Sequence, residues 1–72
     1  MKFHVNQVVA TEDSPDYLYV VTRLKPSDNV AAVIKPLNRT YSVPVFYSSV
    51  HRYQEYYPDI NQLMQDYPEL FI

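Results

Sequence analysis

The sequence predicts an α+β fold, with a four-stranded antiparallel sheet and one C-terminal helix. Residues 2–47 contain four runs rich in aromatic and β-branched residues, separated by polar or proline-containing segments, as expected for strands joined by turns. Residues 59–66 then change to a helical spacing of apolar side chains. Two arrangements fit this pattern: the first is a sheet curled into an SH3-like barrel, and the second is an open four-stranded meander with the helix across one face.

The first two strands are predicted over residues 2–9 and 17–24. In the first run, Phe3, Val5 and Val9 share one face by the two-residue period of a strand. A polar loop containing a Ser-Pro pair follows, and such pairs are typical of turns. The second run, YLYVVTRL, is dense in aromatic and β-branched residues, so it is the clearest strand of the chain.

The third and fourth strands are predicted over residues 30–35 and 40–47. The turn before the third strand contains a proline, and Asp28 or Asn29 is expected to take its left-handed position. Pro44 interrupts the fourth run and has no N–H to donate to a sheet. The fourth strand is therefore expected at a sheet edge or at a bulge.

The helix is predicted to begin after Pro58 and to end near Asp66, before Pro68. A short helical turn capped by a serine is expected between the fourth strand and this helix. The helix carries an apolar stripe at positions i, i+3, i+4 and i+7, formed by Ile60, Leu63, Met64 and Tyr67.

Length and composition indicate a single small domain spanning residues 1–72. The sequence contains no glycine, which excludes glycine-rich phosphate loops and dinucleotide-binding fingerprints. It contains no cysteine, so neither a disulfide nor a thiolate metal site is predicted. Apolar runs are too short for a membrane span, and the first residues do not resemble a signal peptide, so we expect no membrane partner and a cytosolic location.

The pattern of catalytic residue types argues against an enzyme. His4 and His51 are the two histidines, and neither lies in a metal-binding or nucleophile motif. The acidic residues Glu12, Asp13 and Asp16 share one loop, but they lack the spacing of a calcium-binding loop. The sequence therefore predicts a protein that is not an enzyme and needs no metal or cofactor.

Charge is unevenly distributed along the chain. Residues 1–52 contain six bases and four acids, whereas residues 53–72 contain four acids and no base. An acidic end disfavours nucleic-acid binding by the whole surface but leaves room for a local basic face. The bases are therefore candidate partner-binding residues: Lys2, Arg23, Lys25, Lys35, Arg39 and Arg52.

Tyrosine is the second candidate binding group. Eight of the 72 residues are tyrosine, and Tyr53, Tyr56 and Tyr57 fall within five residues. Tyrosine is enriched at protein interfaces because its large ring has few rotamers and a polar tip, and such rings also stack on unpaired bases. Because three rings so close in sequence cannot all point inward, we include these three residues in the predicted partner-binding site, either for protein or for the region of RNA exit.

The opening MKFHVNQVVATEDSPDYLYVV and the run DYLYVVTRL carry a resemblance to a known family. The chain resembles small phage-encoded transcription regulators that bind bacterial RNA polymerase, of the kind carried by a lytic Xanthomonas phage. The resemblance covers nearly the whole chain.

This resemblance implies a regulator that acts in the host bacterial cytoplasm. Such a protein binds host RNA polymerase at the N-terminal part of the β′ subunit and near the β subunit, close to the RNA exit channel. It inhibits initiation by displacing σ factor, and it promotes read-through of intrinsic terminators together with NusA. The resemblance leaves open whether such a protein also contacts nascent RNA.

Two other functions fit the same residues. A small nucleic-acid-binding barrel module would use the bases and aromatic rings directly, and it would show a steep salt dependence. An inhibitor of another host defence protein would share every compositional feature described above.

Overall fold

The computed structural model describes residues 2–71, with residues 15 and 16 described by their backbone alone. Over that range the chain forms five strands, one α-helix and two 3-10 helices. We name the first 3-10 helix the bridging helix, because it links the fourth strand to the fifth, and the second the C-terminal turn. In chain order the elements are β1 (Val8–Thr11), β2 (Ser14–Ser27), β3 (Val30–Pro36), β4 (Val43–Phe46), the bridging helix (Tyr47–Arg52), β5 (Tyr53–Tyr57), α1 (Ile60–Asp66) and the C-terminal turn (Pro68–Phe71).

The strands form one antiparallel sheet in the order β4-β3-β2-β1-β5. The α+β class and the C-terminal helix are confirmed, and the prediction of four strands is wrong because Tyr53–Tyr57 adds a fifth. The sheet is also open: β4 and β5 are its two edges, so the alternative of a closed SH3-like barrel is not the observed arrangement. Pro44 lies in the edge strand β4, where its missing N–H is tolerated.

The sheet is strongly curled, as the length of the bridging helix shows. The edges of a flat five-stranded sheet lie about 19 Å apart, since neighbouring strands are separated by about 4.8 Å. The six residues of the bridging helix link these edges, and a 3-10 helix of that length advances by only about 12 Å. The two edges must therefore approach each other without pairing.

The first predicted strand is shorter than its sequence pattern suggests. Ladder pairing begins at Val8 rather than residue 2, because Asn6 adopts a left-handed conformation with φ of 75°. Two backbone hydrogen bonds still hold this turn to β2: the Asn6 N–H donates to the Val21 carbonyl at 2.8 Å, and the Val21 N–H donates to the Gln7 carbonyl at 2.9 Å.

The β2–β3 hairpin places its left-handed residue earlier in the predicted turn segment than expected. Lys25 has φ of 47°, whereas Asp28 and Asn29 form the loop without a positive φ. The pairing register shifts between Leu24 and Ser27, which marks a bulge around Lys25. The left-handed residue of this hairpin therefore lies in the bulge of β2 and not in the two-residue loop.

The inner face of the sheet carries the hydrophobic core. Partly buried side chains, including Phe3, Tyr19 and Tyr53, pack against a fully enclosed cluster. The buried members of this cluster come from four strands and are Val9, Val21, Ala32, Ile34 and Val45.

The outer face is covered in part by α1. Val8 alternates with Val9 and so points to the opposite side, yet it is fully buried, as is Leu63 of α1. Asp59 caps the helix by accepting a 2.7 Å hydrogen bond from the Asn61 N–H. Of the predicted stripe, Leu63 is enclosed, whereas Met64 and Tyr67 remain about half exposed. No described helix has the length and apolar character needed to cross a membrane.

Candidate functional site

A bulge in β5 separates the three tyrosines that are close in sequence. Val9 pairs with Glu55, but the next residue of β1, Val8, pairs with Tyr57, so Tyr56 is the extra residue. Tyr53 therefore lies on the inner face, and Tyr57 lies on the outer face beside α1.

Tyr53 belongs to an aromatic row along the inner face, defined here as Phe3, Tyr53, Tyr19, Tyr17 and Tyr41. The ring centroids of Phe3 and Tyr53 lie 6.4 Å apart, as do those of Tyr53 and Tyr19, and both pairs meet edge to face. The Tyr19 and Tyr17 centroids are 5.2 Å apart, and the Tyr17 and Tyr41 hydroxyl oxygens are 3.5 Å apart. This row extends the core, so Tyr53 is a packing residue.

Two phenol groups of the row, those of Tyr19 and Tyr41, are harder to ionise than free tyrosine. Burial raises the pKa of Tyr19, with smaller contributions from the neighbouring Tyr17 and Tyr53 hydroxyls. The hydrogen bond with Tyr17 raises the pKa of Tyr41. These groups are therefore uncharged near neutral pH and are unsuited to act as bases there.

Tyr56, Tyr57, Met64 and Tyr67 form a second cluster, named here the tyrosine patch. The centroids of Tyr57 and Tyr67 are 6.2 Å apart and those of Tyr56 and Tyr57 are 6.4 Å apart. Met64 lies one helical turn before Tyr67. Tyr56 is 50% exposed, while Met64 and Tyr67 are each 46% exposed. The patch thus combines a half-buried ring, Tyr57, with three accessible apolar side chains.

A hydrogen bond fixes the centre of the tyrosine patch. The Tyr57 hydroxyl donates to the Asp66 carboxylate Oδ2, which joins β5 to the end of α1. This bond raises the pKa of Tyr57 to about 12, because ionising the phenol would lose the donor and place two negative charges together. The Tyr57 ring is therefore held by the fold before any partner arrives.

The predicted basic residues lie in several parts of the surface. Arg23 pairs with Val33 and Lys35 pairs with Val20, which places both on the outer face of the sheet. Arg39 lies in the β3–β4 connection and Arg52 ends the bridging helix, and both are exposed. Lys2 and Lys25 are brought together at one concave site.

That concave site, named here the lysine groove, has a volume of about 420 Å³. The N-terminal segment, the β2–β3 hairpin and the bridging helix form its walls. Sequence reasoning selected its two lysines but missed its apolar residues, because no single run contains them. Its lining residues are Lys2, Phe3, Leu24, Lys25, Ala31, Tyr47 and Val50.

His4 is engaged in structural contacts. Its Nε2 lies 2.7 Å from the Pro58 carbonyl oxygen, and because a carbonyl only accepts, Nε2 is the donor. Its backbone N–H donates to Gln7 Oε1 at 3.1 Å. Within the described part of the chain, no three His, Asp or Glu side chains converge in a way that would hold a metal ion.

Comparison with protein-family models, with curated proteins and with solved structures gives no significant match. Evidence on function therefore comes from two accessible features of the surface, the tyrosine patch and the lysine groove.

Proposed function

We propose that this protein is a non-enzymatic regulator that binds bacterial RNA polymerase through the tyrosine patch. In this proposal it acts in the host bacterial cytoplasm as a phage product. It contacts the N-terminal part of the β′ subunit and the adjacent β subunit, displaces σ factor at initiation and promotes terminator read-through with NusA. The family resemblance suggests polymerase as the partner, and the exposure of the tyrosine patch supports it as the contact surface.

The observation that carries the proposal is the exposure of Tyr56, Met64 and Tyr67 next to a ring that is already fixed. Exposed aromatic side chains with few rotamers lose little entropy on binding, and tyrosine is over-represented among residues that dominate interface energies. The Tyr57–Asp66 hydrogen bond removes part of that cost in advance by linking the strand to the helix.

The charge of the segment that carries the tyrosine patch indicates the charge expected on the partner's surface. The patch lies within residues 53–72, which contain four acids and no base. A partner surface with basic and apolar residues is therefore complementary to it, and opposite charges would accelerate encounter and fix the orientation. A small domain bound in this way at the RNA exit region would act by occupying space that σ factor needs, without any bond being made or broken.

The test is co-purification of the intact chain with purified host core polymerase, followed by transcription across an intrinsic terminator with and without NusA. We expect binding and increased read-through, and we expect the Tyr56→Ala/Tyr67→Ala double variant to lose both. Tyr41→Ala is the matched control, because Tyr41 is equally exposed but lies outside the tyrosine patch. A native chain that neither binds polymerase nor changes read-through would refute the proposal.

Nascent RNA enters the proposal as a secondary contact. If bare RNA binds the isolated chain tightly and loses affinity steeply with salt, the nucleic-acid-binding alternative replaces the polymerase proposal.

A further inference from the structure

The lysine groove is a second accessible site, distinct from the tyrosine patch. Phe3 and Val50, which pack against the core, contribute its apolar surface together with Leu24. Two cationic side chains, Lys2 and Lys25, line the same concavity. An apolar surface beside two ammonium groups fits a ligand that combines an apolar group with a carboxylate.

The walls of the groove are fixed by contacts elsewhere in the fold. The Tyr47 N–H donates to the Asn29 carbonyl at 3.2 Å, which holds the start of the bridging helix against the β2–β3 turn. The Phe3 ring meets Tyr53 edge to face at 6.4 Å, which anchors the N-terminal wall. The concavity is therefore present before a ligand binds.

Lys25 is held in an unfavourable backbone conformation at the groove. Its φ is 47°, in the left-handed region that disfavours residues with a Cβ, and it precedes Pro26, which restricts it further. Such strain persists where the surrounding structure imposes it, and it concentrates at ligand-binding positions. The bulge around Lys25 thus fixes the backbone position from which the Lys25 side chain extends.

We propose that the lysine groove binds a short acidic and apolar peptide segment of a partner protein, with an apolar side chain on the groove surface and carboxylates near Lys2 and Lys25. Charge complementarity favours this occupant. At about 420 Å³ the groove accommodates a few residues rather than a folded domain. The site goes beyond the proposed polymerase contact, because residues 53–72, which carry the tyrosine patch, contain acids and no base and so favour a basic partner surface instead.

The experiment is a two-dimensional NMR titration of the full chain with a blocked tetrapeptide of sequence Asp-Leu-Glu-Phe. Its neutral counterpart, Asn-Leu-Gln-Phe, keeps the shape and removes the charge. We expect the acidic peptide to shift the resonances of Phe3, Lys25 and Val50, and to bind about tenfold more tightly than the neutral one, since charge-assisted contacts exceed neutral ones in strength.

Two variants locate the charge effect. Lys25→Gly removes the ammonium group while suiting the left-handed backbone, so the chain is expected to fold normally and to bind the acidic peptide severalfold more weakly. Lys2→Gln tests the second lysine without touching the hairpin. Arg39→Gln, which removes an exposed charge outside the groove, is expected to leave affinity unchanged.

Three results would each overturn the proposal: equal affinity for the acidic and neutral peptides, no shifts in the groove at peptide concentrations up to about 1 mM, or displacement of the peptide by a short RNA. Polymerase takes no part in this titration. The Tyr56→Ala/Tyr67→Ala variant should bind the peptide normally, so failure here and failure of the polymerase proposal are distinguishable.

Discussion

The Gln7 side chain donates a 2.9 Å hydrogen bond from Nε2 to Glu55 Oε1, joining the N-terminal segment to the last strand of the sheet. Gln7 is only 2% exposed, and its Oε1 also accepts the His4 N–H. The buried Gln7 amide thus provides a hydrogen-bond partner both for the His4 N–H and for the Glu55 carboxylate. Because Glu55 directly precedes the bulge at Tyr56, this contact helps to position the tyrosine patch.

Replacing Gln7 by leucine should lower the free energy of unfolding by about 1–3 kcal/mol, because the His4 N–H loses its acceptor and the Glu55 carboxylate loses its donor. Urea denaturation followed by circular dichroism measures this change. Glu55→Gln is the control, since it keeps an acceptor oxygen for the Gln7 amide and should cost less than half as much. Equal losses in the two variants would show that packing or charge, rather than the hydrogen bond, explains the effect.

The Tyr57–Asp66 hydrogen bond predicts a pH dependence of stability at alkaline pH. The pKa of Tyr57 is raised to about 12 in the folded chain, against about 10 when unfolded. The unfolded state therefore loses this proton first, so the stabilisation is complete below about pH 10 and is lost as pH rises through 12. Tyr57→Phe lacks this group, and the stability difference between native chain and variant should shrink between those pH values. A difference that stays constant over this interval would contradict the assignment.

Packing of α1 on the sheet depends on Leu63. Leu63→Ala should lower the free energy of unfolding by about 2–4 kcal/mol, because the side chain is fully buried and its removal leaves a cavity. Met64→Ala is the matched control at the next position: Met64 is 46% exposed, so its truncation should change stability by less than about 0.5 kcal/mol. Thermal unfolding of both variants provides the comparison.

The sequence predicted three of the sheet's strands well because their inward-facing residues alternate cleanly. Val43 and Val45 of β4, for example, face inward while Pro44 between them is exposed. The fifth strand was missed because three of its five residues are exposed and because the bulge at Tyr56 breaks the alternation. Local propensity cannot show that Tyr53–Tyr57 completes an edge by pairing with β1, which lies more than forty residues earlier.

The sequence predicted which residue types form the candidate site, but it did not predict which of these residues lie together in the folded chain. Exposed tyrosines and lysines were expected, yet Tyr53 proved to be part of the core and Lys2 joined Lys25 from a distant part of the chain. Composition indicates how much aromatic and charged surface exists, whereas the register decides which face receives it.

Tyr53 and Tyr56 lie on the same strand and should respond differently to truncation. Tyr53→Ala removes a ring that contacts both Phe3 and Tyr19, so it should lower stability by about 2–4 kcal/mol. Tyr56→Ala should leave stability within about 0.5 kcal/mol, since the ring is half exposed, while weakening polymerase binding about tenfold or more. Denaturation and binding measurements on both variants separate folding from recognition. A Tyr56→Ala variant that binds normally would remove Tyr56 from the interface.

Fluorine NMR of chain labelled with 3-fluorotyrosine, titrated with host core polymerase, tests recognition through the tyrosine patch most directly. We expect the Tyr56 and Tyr67 signals to shift or broaden first, each assigned by its Tyr→Phe variant, while the Tyr17 signal in the aromatic row changes only through slower tumbling. Uniform broadening of all eight signals, or no change in any of them at saturating polymerase, would contradict it.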